Sequence, residues 1–95
     1  MIEEKDLYQQ KLEAQINELK AEIDKLNAKL ENMEADTKLE YQKERHNLQQ
    51  QLDKAQERVE RLKTSGTEAW EEIRQGTEKA VKELSQSLEN ARSKF

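Results

Sequence analysis

Leu12, Ile16, Leu19, Ile23, Leu26, Leu30 and Met33 succeed one another at steps of four and three residues in strict alternation. On an α-helix that spacing gathers the apolar side chains into one stripe, which an isolated helix has no means to hide. Residues 12–33 must therefore lie against another helix. With Ile16, Ile23 and Leu30 at the a positions, Leu12, Leu19, Leu26 and Met33 fall at d. β-Branched Ile at a with Leu at d favours two parallel strands. The flanks permit parallel pairing without demanding it. Lys29 would come near Glu34 of a second chain, which is attractive, while Glu22 near Asn27 and Gln15 near Lys20 are neutral.

Downstream the period changes. Leu30, Met33, Thr37, Tyr41, Glu44, Leu48 and Leu52 step by 3, 4, 4, 3, 4 and 4. These are two eleven-residue repeats, a period that relaxes or reverses a left-handed supercoil. Thr37 and Glu44 also weaken the seam, so a straighter, looser helix is expected between about 35 and 48. The heptad resumes at Leu52, Ala55, Val59 and Leu62. Then comes Lys63-Thr64-Ser65-Gly66-Thr67, the only cluster of turn-forming residues in the chain. Ser65 and Glu68 have the spacing of a capping box, and Gly66 is a natural break residue. A second amphipathic helix follows, with Trp70, Ile73, Thr77, Val81, Leu84, Leu88 and Phe95 along one face. Gly76 inside it weakens the helix or lets a neighbouring backbone come close.

Composition leaves little room for anything but helices. Of 95 residues, 40% are charged and only 33% hydrophobic, with two Gly and no Pro. Turns are too scarce for an all-β or α/β fold. So little apolar content raises the question of disorder. The charge spacing answers it: Glu34–Lys38, Glu57–Arg61 and Glu78–Lys82 are i,i+4 pairs in the favoured order. Glu22–Lys25, Glu40–Lys43 and Glu71–Arg74 add i,i+3 pairs. Each stabilises a helix by roughly 0.2–0.5 kcal/mol.

Function classes can be excluded on the same footing. The net charge is −4, and no third of the chain is basic. Nucleic-acid binding, which needs a Lys/Arg excess on one face, is not expected. Acidic and basic side chains balance over residues 69–95, so the second helix has no electrostatic help towards a membrane surface. There is no Cys, which removes disulfides, zinc–thiolate sites and thiol chemistry. Met1 to Gln10 lacks the apolar core of a secretory signal, and no apolar run approaches the ~20 residues of a membrane span. A cytoplasmic protein is the expectation.

Catalysis is not expected either. His46 is the single His and lies outside any Glu-x-x-His motif, because residue 43 is Lys. Ser65, Ser85, Ser87 and Ser93 have no base to complete a triad. Gly66 and Gly76 stand alone and make no phosphate loop. No metal, cofactor or small-molecule substrate is expected. Trp70 is read as packing at a helix–helix contact near the turn, with an anchor for a partner or a membrane interface as the other possibility.

Several segments together carry a resemblance. They are Tyr8-Gln9-Gln10-Lys11-Leu12-Glu13-Ala14-Gln15, Ala21-Glu22-Ile23-Asp24-Lys25-Leu26, Ala28-Lys29, Ala35-Asp36 and Glu40-Tyr41-Gln42. The most specific are Ser65-Gly66-Thr67-Glu68-Ala69-Trp70-Glu71-Glu72-Ile73, Gly76 and the closing Ala91-Arg92-Ser93-Lys94-Phe95. On these residues the chain resembles a family of small bacterial coiled-coil domain-containing proteins of unknown function. It departs where that family often has a second Trp in the final helix; Val81 stands near that place. The resemblance implies a bacterial, cytoplasmic, helical protein and supplies no activity.

The expectation is an all-α structural unit. A long heptad and hendecad helix covers 1–64, and a capped amphipathic helix covers 65–95. The second helix either folds back on residues 38–62 as a hairpin or continues outward. A further architecture, a three-helix bundle cut near 35 and 65, has Thr37-Lys38-Leu39-Glu40 as a possible capping box but no Gly or Pro at the first turn. The expected function is helix–helix association, as a homo-oligomer with a dimer favoured, as a scaffold or spacer, or with another helical protein. The interface residues are Leu12, Ile16, Leu19, Ile23, Leu26, Leu30, Met33, Tyr41, Leu48, Leu52, Val59, Leu62, Trp70, Ile73, Leu84 and Leu88, with Ser65, Gly66 and Glu68 at the break. Peripheral membrane association through 67–95, or presentation of a helix as an adaptor, is the alternative. Ile23→Asn in the heptad seam is expected to loosen the oligomer by several kcal/mol through lost burial and an unpaired polar group. A thermal melt unchanged from the parent chain would place residues 12–33 at no interface.

Overall fold

The stripe finds its cover within the chain. A computed structural model describes residues 4–95. It contains three long helices: α1 (Glu4–Ala28), α2 (Ala35–Thr64) and α3 (Thr67–Lys94). A single 3-10 turn, Leu30–Asn32, lies in the first corner. Residues 1–3 of the helix expected over 1–64 fall outside the described residues.

Contacts at the two ends give the helix directions. Tyr41 early in α2 hydrogen-bonds Asn27 late in α1, while Lys63 at the far end of α2 pairs with Glu13 at 2.6 Å. α1 and α2 are therefore antiparallel. Trp70 packs on Tyr8 and Arg92 reaches Glu22 at 3.6 Å, so α3 runs alongside α1 in the same direction. The result is an up-down-up three-helix bundle. Its longest dimension is 52 Å, little more than the ~45 Å of the 30-residue α2 alone.

All three helices feed one core. α1 contributes Leu12, Ile16, Ile23 and Leu26; α2 contributes Tyr41, Leu48, Leu52, Ala55, Val59 and Leu62; α3 contributes Ala80, Val81, Leu84, Leu88 and Ala91. Leu19, Leu30, Met33, Trp70 and Ile73 are partly buried against it. Each fully covered Leu or Ile contributes about 1.5–3 kcal/mol. Thr77 is the buried polar residue of this core; its hydroxyl donates to the Ile73 carbonyl at 2.8 Å, with the Arg58 carbonyl of α2 at 3.3 Å.

Three expectations need correction. The all-α class and the break near 64–67 hold, but the continuous helix over 1–64 does not. The chain turns at 29–34, at the start of the stretch where the apolar period changes, so the phase shift marks a corner rather than a relaxed supercoil. The reason is coverage: an unbroken helix would leave the 12–26 stripe facing water, whereas a reversal lays it on α2 and α3. Leu30 and Met33 sit in the corner rather than on a helical seam.

The expected capping boxes are also absent. Ser65 is the residue after α2, and its hydroxyl donates back to the Leu62 carbonyl at 2.9 Å. Thr64 does the same towards Glu60 and Arg61, at 3.3 Å each. Both hydroxyls serve the carbonyls that end α2, not the amides that begin α3. Gly66 is the N-cap of α3, without a side-chain cap, and Glu68 is exposed in its first turn. Likewise Glu34 precedes α2 without a side-chain cap, and Thr37 lies inside the helix. Finally, what comes close to Gly76 is not backbone: a Cβ there would stand 2.8 Å from Arg58 Nη1.

The two corners share one geometry. Met33 (φ −86°, ψ 148°) and Glu34 (φ −67°, ψ 157°) are both extended. So are Ser65 (φ −73°, ψ 146°) and Gly66 (φ −75°, ψ 169°). No described residue has positive φ, so neither corner requires glycine. A Cβ at position 66 meets nothing within 4 Å. Gly66→Ser should supply the missing cap and restrict the unfolded chain, raising stability by about 0.5–1 kcal/mol. The midpoint of urea unfolding should rise; a lower midpoint would refute this account of the corner.

Candidate functional site

Between α1 and α3 lies an open groove of ≈ 640 Å³. It exists because α3 packs most extensively on α2, leaving the α1 edge of α3 less fully covered. Leu12, Leu19 and Val81 form its floor, and the Tyr8 ring closes one end. Lys11, Gln15 and Glu18 rise from α1; Glu78, Lys82, Ser85 and Gln86 rise from α3. A second depression of ≈ 420 Å³, between α1 and α2, includes Glu13 and Lys63 in its lining. These two form an ion pair at 2.6 Å, and Glu60 adds a second contact to Lys63 at 3.2 Å. Hydrogen bonds from Lys63 to Glu13 and Glu60 push its ammonium pKa above the usual lysine value.

The four aromatic side chains of the chain form two pairs, one at each end of the bundle. Tyr8 and Trp70 meet edge to face with ring centres 5.9 Å apart. Arg74 lies over Tyr8, 5.5 Å from the ring centre. Its guanidinium is held by Glu71, and by Glu78 at 2.6 Å. The Glu71 bond raises the Arg74 pKa, and Arg74 in turn lowers that of Glu71. Trp70 Nε1 is buried without a hydrogen-bond partner among the described residues. At the other end Tyr41 and Phe95 meet edge to face at 5.1 Å, and the Tyr41 hydroxyl donates to Asn27 Oδ1.

Every expected interface residue lies in the shared core or packs against it. Leu12, Ile16, Ile23 and Leu26 are 3% exposed or less, so the stripe meets helices of its own chain and does not need a second copy to cover it. The apolar face of α3 is used in the same way: Thr77, Val81, Leu84 and Leu88 are buried in the bundle. No described helix is long and apolar enough to cross a membrane. His46 is exposed, and no group of three or more potential metal ligands gathers among the described residues.

Asn27 and the groove walls were not among the expected residues. Asn27 flanks the heptad seam and becomes a partner for Tyr41 only after the chain reverses. Lys11 and Glu18 look like ordinary solvated helix positions until α3 arrives beside them. Of the six expected i,i+3 and i,i+4 ion pairs, Glu22–Lys25, Glu57–Arg61 and Glu71–Arg74 are formed. Glu78 turns to Arg74 instead of Lys82. No protein-family model matches the chain, and neither do curated proteins or solved structures.

Burial pushes the Tyr41 phenol above its ordinary pKa of 10.0, with Arg45 pulling weakly the other way. Below 10.0 folded and unfolded phenols both keep their proton, and the contribution of Tyr41 is whole. As pH rises past that value the unfolded phenol ionises first, so the fold loses stability until the buried phenol ionises too. Tyr41→Phe should cost about 1 kcal/mol at neutral pH by removing the Asn27 bond. It should also flatten the alkaline decline measured by denaturant unfolding; an equally steep decline would assign it to another group.

Proposed function

We propose that this chain is a non-catalytic helical bundle that works through helix–helix association, as a scaffold or spacer element. The groove between α1 and α3 supports this reading best. Half-buried Leu19 and the Tyr8 ring between two walls of charged and amide side chains suit another pair of helices, which offer apolar stripes with polar flanks. The groove is open rather than enclosed, which fits a protein surface better than a small molecule, which sites usually enclose on most sides. The resemblance to small bacterial coiled-coil proteins and the cytoplasmic setting belong to the same proposal.

A photo-reactive amino acid placed at Gln15 or Gln86 tests it. In an extract of the native host, both positions should give covalent adducts with helical segments of protein, of this chain or another. A probe at the exposed Glu57 of α2 should give far fewer. Equal yields at all three positions, or none at Gln15 and Gln86, would overturn the proposal.

A further inference from the structure

We infer that the groove between α1 and α3 receives the same groove of a second copy of this chain. This rests on the helix-association reading and names its partner. The argument lies in the order of charges. α1 and α3 run in the same direction, so both walls can be followed along one axis. The α1 wall carries Lys11 and then Glu18; the α3 wall carries Glu78 and then Lys82. Charge sign therefore alternates both along each wall and across the groove.

Such a checkerboard is its own complement. A two-fold axis in the plane of the groove, parallel to the helices, sets Lys11 of one copy against Glu78 of the other and Glu18 against Lys82. An axis across the helices sets Lys11 against Glu18 and Glu78 against Lys82. Either way every corner meets the opposite sign, as an isologous interface requires. A uniformly basic or acidic partner would gain at two corners and lose at the other two.

The corner charges are available for this. Among the described residues Lys11, Glu18 and Lys82 form no ion pair. Glu78 accepts Arg74 through Oε1 alone, which leaves Oε2 for an ammonium. Between the corners, Leu19 and the Tyr8 ring are half-buried, so closing the groove removes apolar surface from water. The α1–α3 pairs of two copies then face each other as a four-helix bundle, with the groove floors forming its core. Gln15, Ser85 and Gln86 keep that core partly polar, which makes the association reversible.

Absolute mass by light scattering, over a roughly hundredfold range of concentration, tests this. The mass should rise from the 11.2 kDa of one chain towards twice that value. The double substitution Lys11→Glu with Lys82→Glu makes all four corners acidic and should weaken association by more than about tenfold at low salt. Inverting all four corners, by adding Glu18→Lys and Glu78→Lys, should restore self-association. The inverted chain should not associate with the parent chain. Circular dichroism confirms that each variant is folded. A parent mass of one chain at every concentration would overturn the inference, and so would a folded all-acidic variant that associates as tightly as the parent. If the Gln15 probe then still captured a different helical protein, the helix-association reading would stand and only the second copy would fall.

Discussion

Leu12, Ile16, Ile23 and Leu26 carry apolar surface that only another helix can cover, and the nearest cover is the rest of the same chain. Much of the fold follows from that. The chain must reverse soon after Leu26, and it does so at 29–34. Reversal brings Leu48 through Leu62 along the stripe, and a second reversal at 65–66 brings α3 into the remaining gap. One core is then shared by three helices. A core that mixes Leu, Ile, Val and Ala with the one buried Thr77 explains how so polar a chain can fold. The apolar stripes of the three helices face the same interior, while Leu7 and Leu39 stay exposed.

Polar interactions settle details that burial leaves open. Glu13 with Lys63 and Glu22 with Arg92 tie α1 to α2 and to α3. Pairs this exposed contribute little each, but they favour the observed directions of the helices over their reverse. Arg74 shows how one side chain can organise an end: it holds Glu71 and Glu78 and lies across Tyr8. It draws Glu78 away from Lys82, which forms no ion pair among the described residues.

Much of the secondary structure was legible in the residues, and the second corner was too. Helical period, i,i+4 charge pairs and the Thr64–Thr67 cluster are local signals. The first corner entered only as an alternative, the three-helix bundle cut near 35, because it uses extended backbone at Met33 and Glu34 that any residue can adopt. No glycine or proline marks it. Its trace was the change of apolar period around Thr37, a pattern that a long supercoil explains equally well until its exposed stripe is counted. The Ser65 spacing misled for a related reason. A hydroxyl between two helices can serve either, and here the carbonyls of α2 were the nearer unsatisfied groups. The groove had no local signal at all. Lys11, Glu18, Glu78 and Lys82 become a set only when helices distant in sequence stand side by side.

The pairing of aromatic rings at the two ends gives the molecule a built-in optical asymmetry. The lone indole, Trp70, reports on the end that holds the 65–66 corner, while Tyr41 and Phe95 mark the end that holds the 29–34 corner. Indole emission therefore follows one pole of an unlabelled bundle and is blind to fraying at the other. Comparing it with a helix signal summed over the whole chain separates opening that begins at one pole from opening that begins everywhere at once.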